Sequence, residues 1–494
     1  MHESDYKELR YPGLFIDGSW RAASGTVTHP VINPFTEEQW ASSANATPAE
    51  VDRAVGSAQA ALHGDWADFN LEDRIALVRR IQDEIRARRE ELADLHTRSM
   101  GSPYSASLGL SGAVELIDAY VQSVGDVVFD YLRQDSFGSA FISRRPIGVV
   151  AGITPWNAAL REVKKAIPAL LSGCTVVLKP SPETPFGAAL FTQICTSAGA
   201  PPGVVNMVHG GADTGESMVI HPDVRKVAFT GSSASGARIA SVAAPEMKRL
   251  QLELGGKSAA IVLDDVDIDE LIPLLAFGAW SNAGQVCTSN SRVLVSRARY
   301  DDVVEAFIEA SKKQVLGDPM DPDTTMGPLA SRRHYERVLG YIEQGRASGA
   351  KVAVGGGRPQ GLTRGYFVEP TVFTEVDNSM AIAREEIFGP VTCFIPYESE
   401  SQAIEIANDS DFGLHGGVFG RDEQHAMSIA KKLDTGTVGV NRFSATATSP
   451  FGGIKKSGIG REHGPEGFES FLEYKSYNIP TNLTADLAEG YPFA

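Results

Sequence analysis

Residues 250–256 read LQLELGG, and residues 284–288 read GQVCT. In the first stretch, apolar and polar side chains alternate with the period of a β-strand, and the two glycines leave room for another backbone or a flat ligand. Glu253 therefore lies at the exit of a predicted strand. In the second stretch, Cys287 follows a helical segment that Gly284 interrupts, so we expect its sulfur on a loop, where a thiol can react. The other three cysteines are predicted to be small buried side chains: Cys174, Cys195 and Cys393.

The composition is that of a globular protein with more than one domain. A chain of 494 residues exceeds the size at which a single hydrophobic core stops growing, so two or three domains are expected. The net charge of -17 repels phosphate backbones and acidic lipid, which argues against nucleic acid or a membrane surface as a partner. A small molecule is the better candidate.

The cysteine spacing and the apolar runs exclude several further classes. None of the four cysteines forms a CxxC pair, so neither a disulfide framework nor a thiolate zinc site is expected, and no metal is predicted. Residues 1–10 are polar and charged, and no run of eighteen apolar residues occurs. The sequence thus predicts no signal peptide, no membrane span and a cytoplasmic location.

From Arg145 onward, strands and helices alternate. The predicted strands cover residues 147–153, 175–178, 204–208, 227–229 and 250–254, and a turn and a helical segment follow each of the first four. This order predicts an α/β fold with a parallel, doubly wound sheet, whose ligand lies across the carboxyl ends of the strands.

Glycine and serine at one strand end suggest a phosphate site. Gly231 and Ser232 open a predicted helix whose free N–H groups can receive a phosphate, and Gly236 lets that helix pack closely. No GxGxxG motif is present, and residues 255–258 fail as a phosphate-binding P-loop because position 251 is Gln.

Flanking elements are predicted on both sides of this region. Residues 15–20 are expected to form a strand and a turn, and residues 47–50 a capping box that opens a helix to about Leu62. Single helices are predicted over 72–95 and 113–128, and residues 137–143 as an arm that pairs with another subunit. A second α/β unit follows Ser258.

Taken together, short motifs along the chain resemble the aldehyde dehydrogenase superfamily, from about Leu14 to Asn478. The residues that carry the resemblance are TPWN at 154–157, LKPS at 178–181, FTGS at 229–232, LELGGK at 252–257, GQVC at 284–287, EIFGP at 386–390 and PFGG at 450–453. So many motifs in one order and spacing do not arise by chance.

The resemblance implies three structural parts and an assembly. A Rossmann-type cofactor domain comprises residues 1–127 and 146–256, and an α/β catalytic domain comprises 257–470. A small β oligomerisation arm with a tail comprises 128–145 and 471–494. A homodimer or homotetramer is implied.

The resemblance also implies a reaction. Cys287 attacks an aldehyde as thiolate, while the Asn157 amide and the Cys287 backbone N–H hold the oxyanion and hydride passes to the nicotinamide. Glu253 then activates water to release the carboxylic acid from the thioester. A thiol is a good nucleophile and leaving group, and fixed donors stabilise the oxyanion, so each residue type suits its role. We expect partial burial to raise the pKa of Glu253 towards the working pH.

The implied cofactor is NAD, with NADP possible. Lys179 and Glu386 are expected at the ribose, Phe388 near the nicotinamide, and Gly231 and Ser232 at the pyrophosphate. The full set of cofactor-binding candidates is Ile153, Thr154, Pro155, Trp156, Lys179, Ser181, Glu183, Gly231, Ser232, Leu254, Gly255, Glu386 and Phe388.

Several positions depart from the family pattern, and the role of one further residue stays open. Many NAD-preferring members have an acid three residues after the lysine; here Pro182 stands there and Glu183 follows. Residues 158–165 are one residue shorter than expected before Pro168 and carry Arg161, Lys164 and Lys165 where members often place bulky apolar side chains along the substrate tunnel. These three side chains either face the tunnel or point outward, as charged helix residues usually do, so an anionic substrate stays open. Glu462 matches a family glutamate behind the catalytic pair, as a proton relay or as a carboxylate at a helix start.

The substrate prediction follows from small side chains. Ala158 and Ala445 stand where many members carry large residues, so a wide tunnel and a bulky aromatic or long-chain aldehyde are expected. The alternatives are a CoA-acylating semialdehyde dehydrogenase, which the presence of Glu253 disfavours, and a non-enzymatic scaffold, which the intact Cys287, Glu253 and Asn157 disfavour.

Overall fold

The computed structural model describes residues 13–443 and 446–480. Its first sheet has eight strands, in the spatial order Ser19–Arg21, Leu14–Ile16, Val205–Met207, Thr175–Lys179, Val149–Ile153, Val224–Thr230, Arg249–Glu253 and Gly458–Ile459. The five strands from Val205–Met207 to Arg249–Glu253 are parallel to one another, and the remaining pairings are antiparallel. The predicted α/β class and the parallel sheet are confirmed.

The strand order creates a switch point. Val149–Ile153 comes first in the chain among the five parallel strands, and the next two strands lie on one side of it while Val224–Thr230 lies on the other. In open α/β sheets, ligands bind in the crevice at this point, beyond the carboxyl ends of the strands. The loops that begin at Thr154 and Gly231 therefore flank the predicted ligand site.

Helices cover both faces of this sheet, which is why its strands are continuous apolar runs. Val150, Val176 and Leu178 face one core, and Val149 and Val177 face the other. The first core contains the helices Leu71–Ala87, Arg89–Met100, Ala113–Gly125, Val163–Ser172 and Pro185–Ser197. The second contains Pro48–Ala61, Ala212–Ile220 and Ser233–Ala243.

A second sheet of seven strands forms the other half of the molecule. Its spatial order is Lys351–Val354, Thr371–Thr374, Val391–Tyr397, Arg292–Ser296, Ala259–Val262, His415–Phe419 and Thr437–Val440. All strand pairs except the first are parallel. Its core includes residues of the helices Ile268–Trp280, Tyr300–Ser311, Arg332–Ala347, Ala381–Arg384, Glu400–Asn408 and Glu423–Ala430.

A third, antiparallel sheet corresponds to the predicted arm. It contains Leu472–Ile479, Gly138–Pro146 and Asp130–Asp135, with the long strand Gly138–Pro146 in the middle. The predicted arm strand therefore has two partners within its own chain. Two short ribbons, Thr28–Ile32 with Gln39–Ala44 and Phe412–Gly413 with Ile454–Lys455, complete the sheets.

The remaining elements are short. They are the helices Tyr104–Ser107 and Gly464–Glu469 and the 3₁₀ turns Asp65–Asp68, Leu110–Gly112, Ala244–Glu246 and Ser281–Gly284. Within the described ranges, no helix combines the length and the apolar character that a membrane crossing requires.

Most predicted helix boundaries agree with the structure, but one helix is wrong. The capping box is present, since the Thr47 backbone N–H donates to the Glu50 carboxylate at 2.8 Å and the helix Pro48–Ala61 follows. The single helix predicted over 72–95 is two helices, because Arg88 leaves the helical conformation and its guanidinium bonds Glu91 at the start of the second. Apolar periodicity does not detect a break of one residue.

One strand crosses the predicted boundary between the cofactor domain and the catalytic domain. Gly458–Ile459, predicted within the catalytic part, pairs antiparallel with Arg249–Glu253 at the edge of the first sheet. Phe468 also belongs to the first core. The polypeptide after the second sheet thus returns to the first, beside Glu253.

Candidate active site

A cavity of about 710 Å³ lies between the carboxyl edge of the first sheet and the loops that lead into the second. This size is typical of a site for a small molecule or cofactor. Predicted site residues in the wall of this main cavity are Pro155, Trp156, Asn157, Glu183, Gly231, Ser232, Glu253, Leu254, Gly255, Cys287, Glu386 and Phe388.

Cys287 lies on the loop between the 3₁₀ turn Ser281–Gly284 and the strand Arg292–Ser296, as predicted, and it is half-buried. Two glycines allow this loop to pack where it does. A Cβ on Gly284 would lie 2.2 Å from the Gly389 carbonyl oxygen, and a Cβ on Gly256 would lie 2.4 Å from the Cys287 carbonyl oxygen. The GG pair after Glu253 therefore lets the cysteine backbone approach the first sheet. The other three cysteines are buried.

Burial governs the acidity of the Cys287 thiol. It raises the pKa of Cys287 to about 11, while the nearby charges of Arg161 and Lys164 act in the opposite direction. A thiolate at this position therefore depends on the cations around it.

Glu253 is the last residue of its strand, and its side chain is buried. Neither carboxylate oxygen has a hydrogen-bond partner among the described residues, and a Cβ on Gly452 would lie 2.8 Å from Oε1. Burial and the like charge of Glu462 hold the pKa of Glu253 well above its usual range, against the pull of Lys165 and Lys164. An unpaired carboxylate in a cavity with a raised pKa has the properties of a general base near neutral pH.

Asn157 is fixed beside the cysteine loop. Its side-chain amide donates to the Gln285 carbonyl at 2.9 Å, and the Asn282 amide donates to the Asn157 carbonyl at 2.8 Å. Asn282 has left-handed backbone dihedrals, as does Ala283, which turns the chain sharply before Gln285. The amide of Asn157 is thus positioned near Cys287 by the loop that carries the thiol.

An aromatic cluster forms another part of the main cavity. The Trp156 ring packs edge-on against Phe388 at 5.4 Å between centroids, and His334 lies 5.5 Å from Trp156. His334 also bonds the Phe388 carbonyl through Nε2 at 2.6 Å, which holds Phe388 in a left-handed backbone conformation (φ 63°). His334 was not predicted, because nothing near it in sequence belongs to a motif.

Glu386 lies beside the two glycines that follow Glu253. The Gly256 N–H donates to its carboxylate at 3.1 Å, and a Cβ on Gly255 would come within 2.2 Å of Oε2. Burial raises the pKa of Glu386 to about 7. Arg337 donates to the Glu386 carbonyl at 2.6 Å and so fixes this turn to the helix Arg332–Ala347.

The helix Ser233–Ala243 points its amino end at the main cavity. Ser232 caps it by accepting from the Ser235 N–H at 3.2 Å. Gly236 is buried, and a Cβ there would lie 2.5 Å from Leu254 Cδ2, which agrees with the predicted close packing. Free N–H groups at such an end favour a phosphate.

Four cofactor candidates among the described residues do not line the main cavity. Lys179 is buried and donates to the Gly210 carbonyl at 2.9 Å, and burial lowers its pKa to about 8. The Ser181 hydroxyl donates to Glu183. Ile153 ends its strand in the core, and Thr154 donates to Glu162 at 2.7 Å.

The three cations near Asn157, whose orientation the sequence leaves open, face the interior or the main cavity. Lys165 is fully buried and donates to Glu462, and Lys164 lies 3.2 Å from the same carboxylate. Arg161 lines the main cavity. Burial alone raises the pKa of Glu462, but the two lysines hold it well below its usual range. Lysines whose charge is neutralised by a buried carboxylate can face the interior.

A second cavity of about 640 Å³ adjoins the first. The two share Asn157, Arg161 and Val286, and Ala158 lines the second. Trp280 and Phe277 form part of its apolar wall. The other small residue of the predicted tunnel, Ala445, lies outside the described residues.

No group of three or more metal-ligating side chains that could hold an ion occurs in the part of the chain that the structure describes. Four features of the main cavity suit a dinucleotide. They are its volume, the room that two glycines leave beside Glu386, the amino end of the helix Ser233–Ala243 and the aromatic ring of Trp156.

Comparison with known proteins identifies the family. The model of the aldehyde dehydrogenase family matches residues 20–477. A 3-succinoylsemialdehyde-pyridine dehydrogenase from a Pseudomonas species is 42% identical over 96% of this chain and 98% of its own. A geranial dehydrogenase from Castellaniella defragrans is 42% identical over 94% of this chain and 98% of its own.

Solved structures agree. The crystal structure of a cysteine-to-alanine variant of aldehyde dehydrogenase C from Pseudomonas syringae, complexed with NAD+ and octanal, has a TM-score of 0.91. It is 41% identical, and the match covers 94% of this chain and 96% of that one. The chain therefore belongs to the aldehyde dehydrogenase family and is an enzyme of that family.

Proposed function

We propose that the protein oxidises an aldehyde to its carboxylic acid with NAD, through a thiohemiacetal and a thioester on Cys287. The observation that carries the proposal is the placement of three groups around one cavity: a half-buried thiol, an amide donor fixed to the thiol's own loop, and a buried carboxylate without a partner.

The first half of the reaction belongs to Cys287 and Asn157. The thiolate forms a C–S bond to the aldehyde carbon, and the carbonyl electron pair moves to oxygen. The Asn157 amide and the Cys287 N–H then stabilise this oxyanion, the usual role of fixed donors at an acyl centre. The bound nicotinamide supplies the hydride acceptor that makes the step an oxidation.

The second half belongs to Glu253. Its ionised carboxylate takes a proton from water, hydroxide adds to the thioester carbon, and the C–S bond breaks to return the thiol and release the acid. Burial and Glu462 raise the pKa of Glu253, so the ionised form is a stronger base than an exposed glutamate. A reaction in which CoA takes the acyl group is disfavoured, because it has no use for such a base.

The cofactor assignment follows from the cavity and from relatives. Trp156, Phe388 and the amino end of Ser233–Ala243 lie around the main cavity, and Glu386 and Glu183 supply carboxylates for sugar hydroxyls. The related Pseudomonas syringae structure holds NAD+. We assign Lys179 to positioning rather than direct contact, because it bonds backbone carbonyls under the cavity.

The substrate is proposed to be larger than acetaldehyde. The second cavity is wide at Ala158 and has an apolar wall at Trp280 and Phe277. Two relatives are named for geranial and 3-succinoylsemialdehyde-pyridine, and the Pseudomonas syringae structure holds octanal. A bulky aromatic or long-chain aldehyde therefore suits the site.

A homodimer or homotetramer assembled through the three-stranded sheet of Gly138–Pro146, and a cytoplasmic location, remain proposals. Phe137 and Tyr474, at this sheet, are exposed large side chains that a partner subunit can cover. Light scattering of the purified protein, with Tyr474→Asp as the variant, tests the assembly, and a monomeric wild type would contradict it.

The reaction is tested by stopped-flow absorbance of reduced cofactor. Cys287→Ala removes the nucleophile and is expected to show no oxidation. Glu253→Gln is expected to show a burst of one equivalent and then to stall, because hydride leaves before water is needed. Wild-type turnover by Cys287→Ala would refute the role of that residue. Absence of a burst from Glu253→Gln would refute the claim that Glu253 acts only after hydride transfer.

A further inference from the structure

Arg161 lies where the two cavities meet. It lies in the turn between Asn157 and the helix Val163–Ser172. The residue is half-buried, and it lines both the main cavity that holds Cys287 and the second cavity. A molecule that reaches the thiol through the second cavity passes its guanidinium.

The guanidinium of Arg161 is paired with no carboxylate of the described residues, although its charge acts against the burial that raises the pKa of the neighbouring Glu162. Within residues 13–443 and 446–480, no hydrogen bond or ion pair engages it, whereas Lys164 and Lys165 share Glu462. The adjacent carboxylate, that of Glu162, is buried and accepts from the Thr154 hydroxyl at 2.7 Å. A half-buried guanidinium that no carboxylate neutralises favours an anion at the same place.

The second cavity contains no acidic side chain in the described part of its wall. Arg161 is its single Lys or Arg there. The remaining polar side chains carry no negative charge; they are Ser102, Ser107, Ser111, Ser281, Thr325, Asn157, Asn282, Gln314 and His96. In a protein with a net charge of -17, a cavity of this size without a carboxylate and with one cation is suited to an anionic ligand.

We propose that the physiological substrate is an aldehyde that carries a carboxylate, and that Arg161 binds this carboxylate while Cys287 attacks the aldehyde. The planar guanidinium offers paired N–H groups that match a carboxylate, and the apolar wall of Trp280 and Phe277 accommodates the carbon chain or ring between the two ends. This inference rests on the proposed function and specifies its substrate class.

Matched aldehyde pairs test the inference. We compare 4-carboxybenzaldehyde with its methyl ester, and the semialdehyde of a six-carbon dicarboxylic acid with hexanal. Wild type is expected to favour the carboxylate of each pair in kcat/KM by about tenfold or more, the usual scale for a charge-assisted hydrogen bond. Arg161→Gln is expected to lose this preference chiefly through KM, and Arg161→Lys to retain part of it.

Lys431→Gln is the charge-matched control, since Lys431 is exposed and lines neither cavity. It should keep the wild-type preference. If wild type shows no preference in either pair, or if Arg161→Gln slows the carboxylate and the uncharged partner equally, Arg161 does not recognise the substrate. The second outcome would assign it to the Cys287 thiolate, which its charge also favours.

A second measurement needs neither cofactor nor turnover. Iodoacetate and iodoacetamide alkylate Cys287 through the same thiolate and differ in charge, so the ratio of their rates reports on the anion site while thiolate formation cancels. Arg161→Gln is expected to lower this ratio by several fold, and Arg161→Lys to preserve it. An unchanged ratio overturns the anion site. Failure to oxidise any aldehyde, with the ratio lowered as expected, would instead overturn the proposed function.

Discussion

The Lys165 ammonium donates to the Glu462 carboxylate, and the two side chains are 0% and 1% exposed. The lysine comes from the helix Val163–Ser172, and the glutamate comes from the segment that returns to the first sheet. Removal of one partner from a buried pair costs about 3–5 kcal/mol when the remaining charge is left uncompensated. Here Lys164 also lies 3.2 Å from the Glu462 carboxylate, so this figure is an upper limit for the loss of Lys165.

We therefore expect Lys165→Met to lower the free energy of unfolding by more than about 1 kcal/mol and by no more than about 5 kcal/mol. Urea unfolding measures this change. Lys312→Met is the matched control, because it breaks an exposed pair with Glu309 and should change the stability by less than about 1 kcal/mol. Because the folded-state pKa of Glu462 is depressed, the contribution of the pair is present above pH 4.5 and is lost as the pH falls below it. A loss no larger than that of the control would contradict the structural role.

The alkylation rate of Cys287 should keep rising with pH above the pKa of an ordinary thiol. Burial raises the pKa of its thiol to about 11, so the thiolate fraction grows about tenfold per pH unit between pH 7 and 10. Mass spectrometry after timed iodoacetamide treatment of the free protein gives the rate. The buried cysteines Cys174, Cys195 and Cys393 serve as internal controls and should stay unmodified. A plateau below pH 8.5 would show a thiolate that is stabilised at rest.

We expect NAD to be preferred over NADP. Glu183 lines the main cavity and accepts from Ser181, and its charge would repel a 2'-phosphate. Glu183→Gln should lower the ratio of kcat/KM for NAD to kcat/KM for NADP by about tenfold, as expected for loss of one charged contact. Glu216→Gln, at an exposed pair with Arg238, is the control. A wild type that favours NADP would refute the assignment, with Pro182 as the first position to examine.

Ala158→Phe should narrow the second cavity. The wild type is expected to process a bulky aromatic aldehyde with higher kcat/KM than acetaldehyde, since the larger substrate buries more apolar surface at roughly 25 cal/mol per Å². The added ring should lower kcat/KM for the bulky substrate and spare acetaldehyde. Ala158→Ser, which changes little volume, is the control. Higher efficiency with acetaldehyde in the wild type would show that width at Ala158 does not select the substrate.

The sequence predicts the positions of those site residues that lie at the ends of regular strands. Glu253, Thr154 and Gly231 each end or follow a strand, so their common edge follows from the alternation of strands and helices. The loop position of Cys287 also follows from Gly284, but the catalytic roles of Cys287 and Asn157 required the resemblance, because a lone cysteine and a lone asparagine carry no periodic signal.

The orientation of the charged side chains could not be predicted in this way. Lys165 has the sequence context of a solvated helix residue, and its burial depends on Glu462, far along the chain. Likewise, the break at Arg88 is invisible to an apolar pattern that continues across it. Such features are set by tertiary contacts, which override local preference.

The return of the strand Gly458–Ile459 to the first sheet has a consequence for biosynthesis. Glu253 emerges from the ribosome well before the residues that enclose it, Gly452 and Glu462 among them. The raised pKa of this carboxylate depends on burial first and on Glu462 second, so it requires these late residues to be in place. The residue proposed to discharge the thioester therefore acquires its raised pKa only when a segment that is synthesised much later has docked beside it.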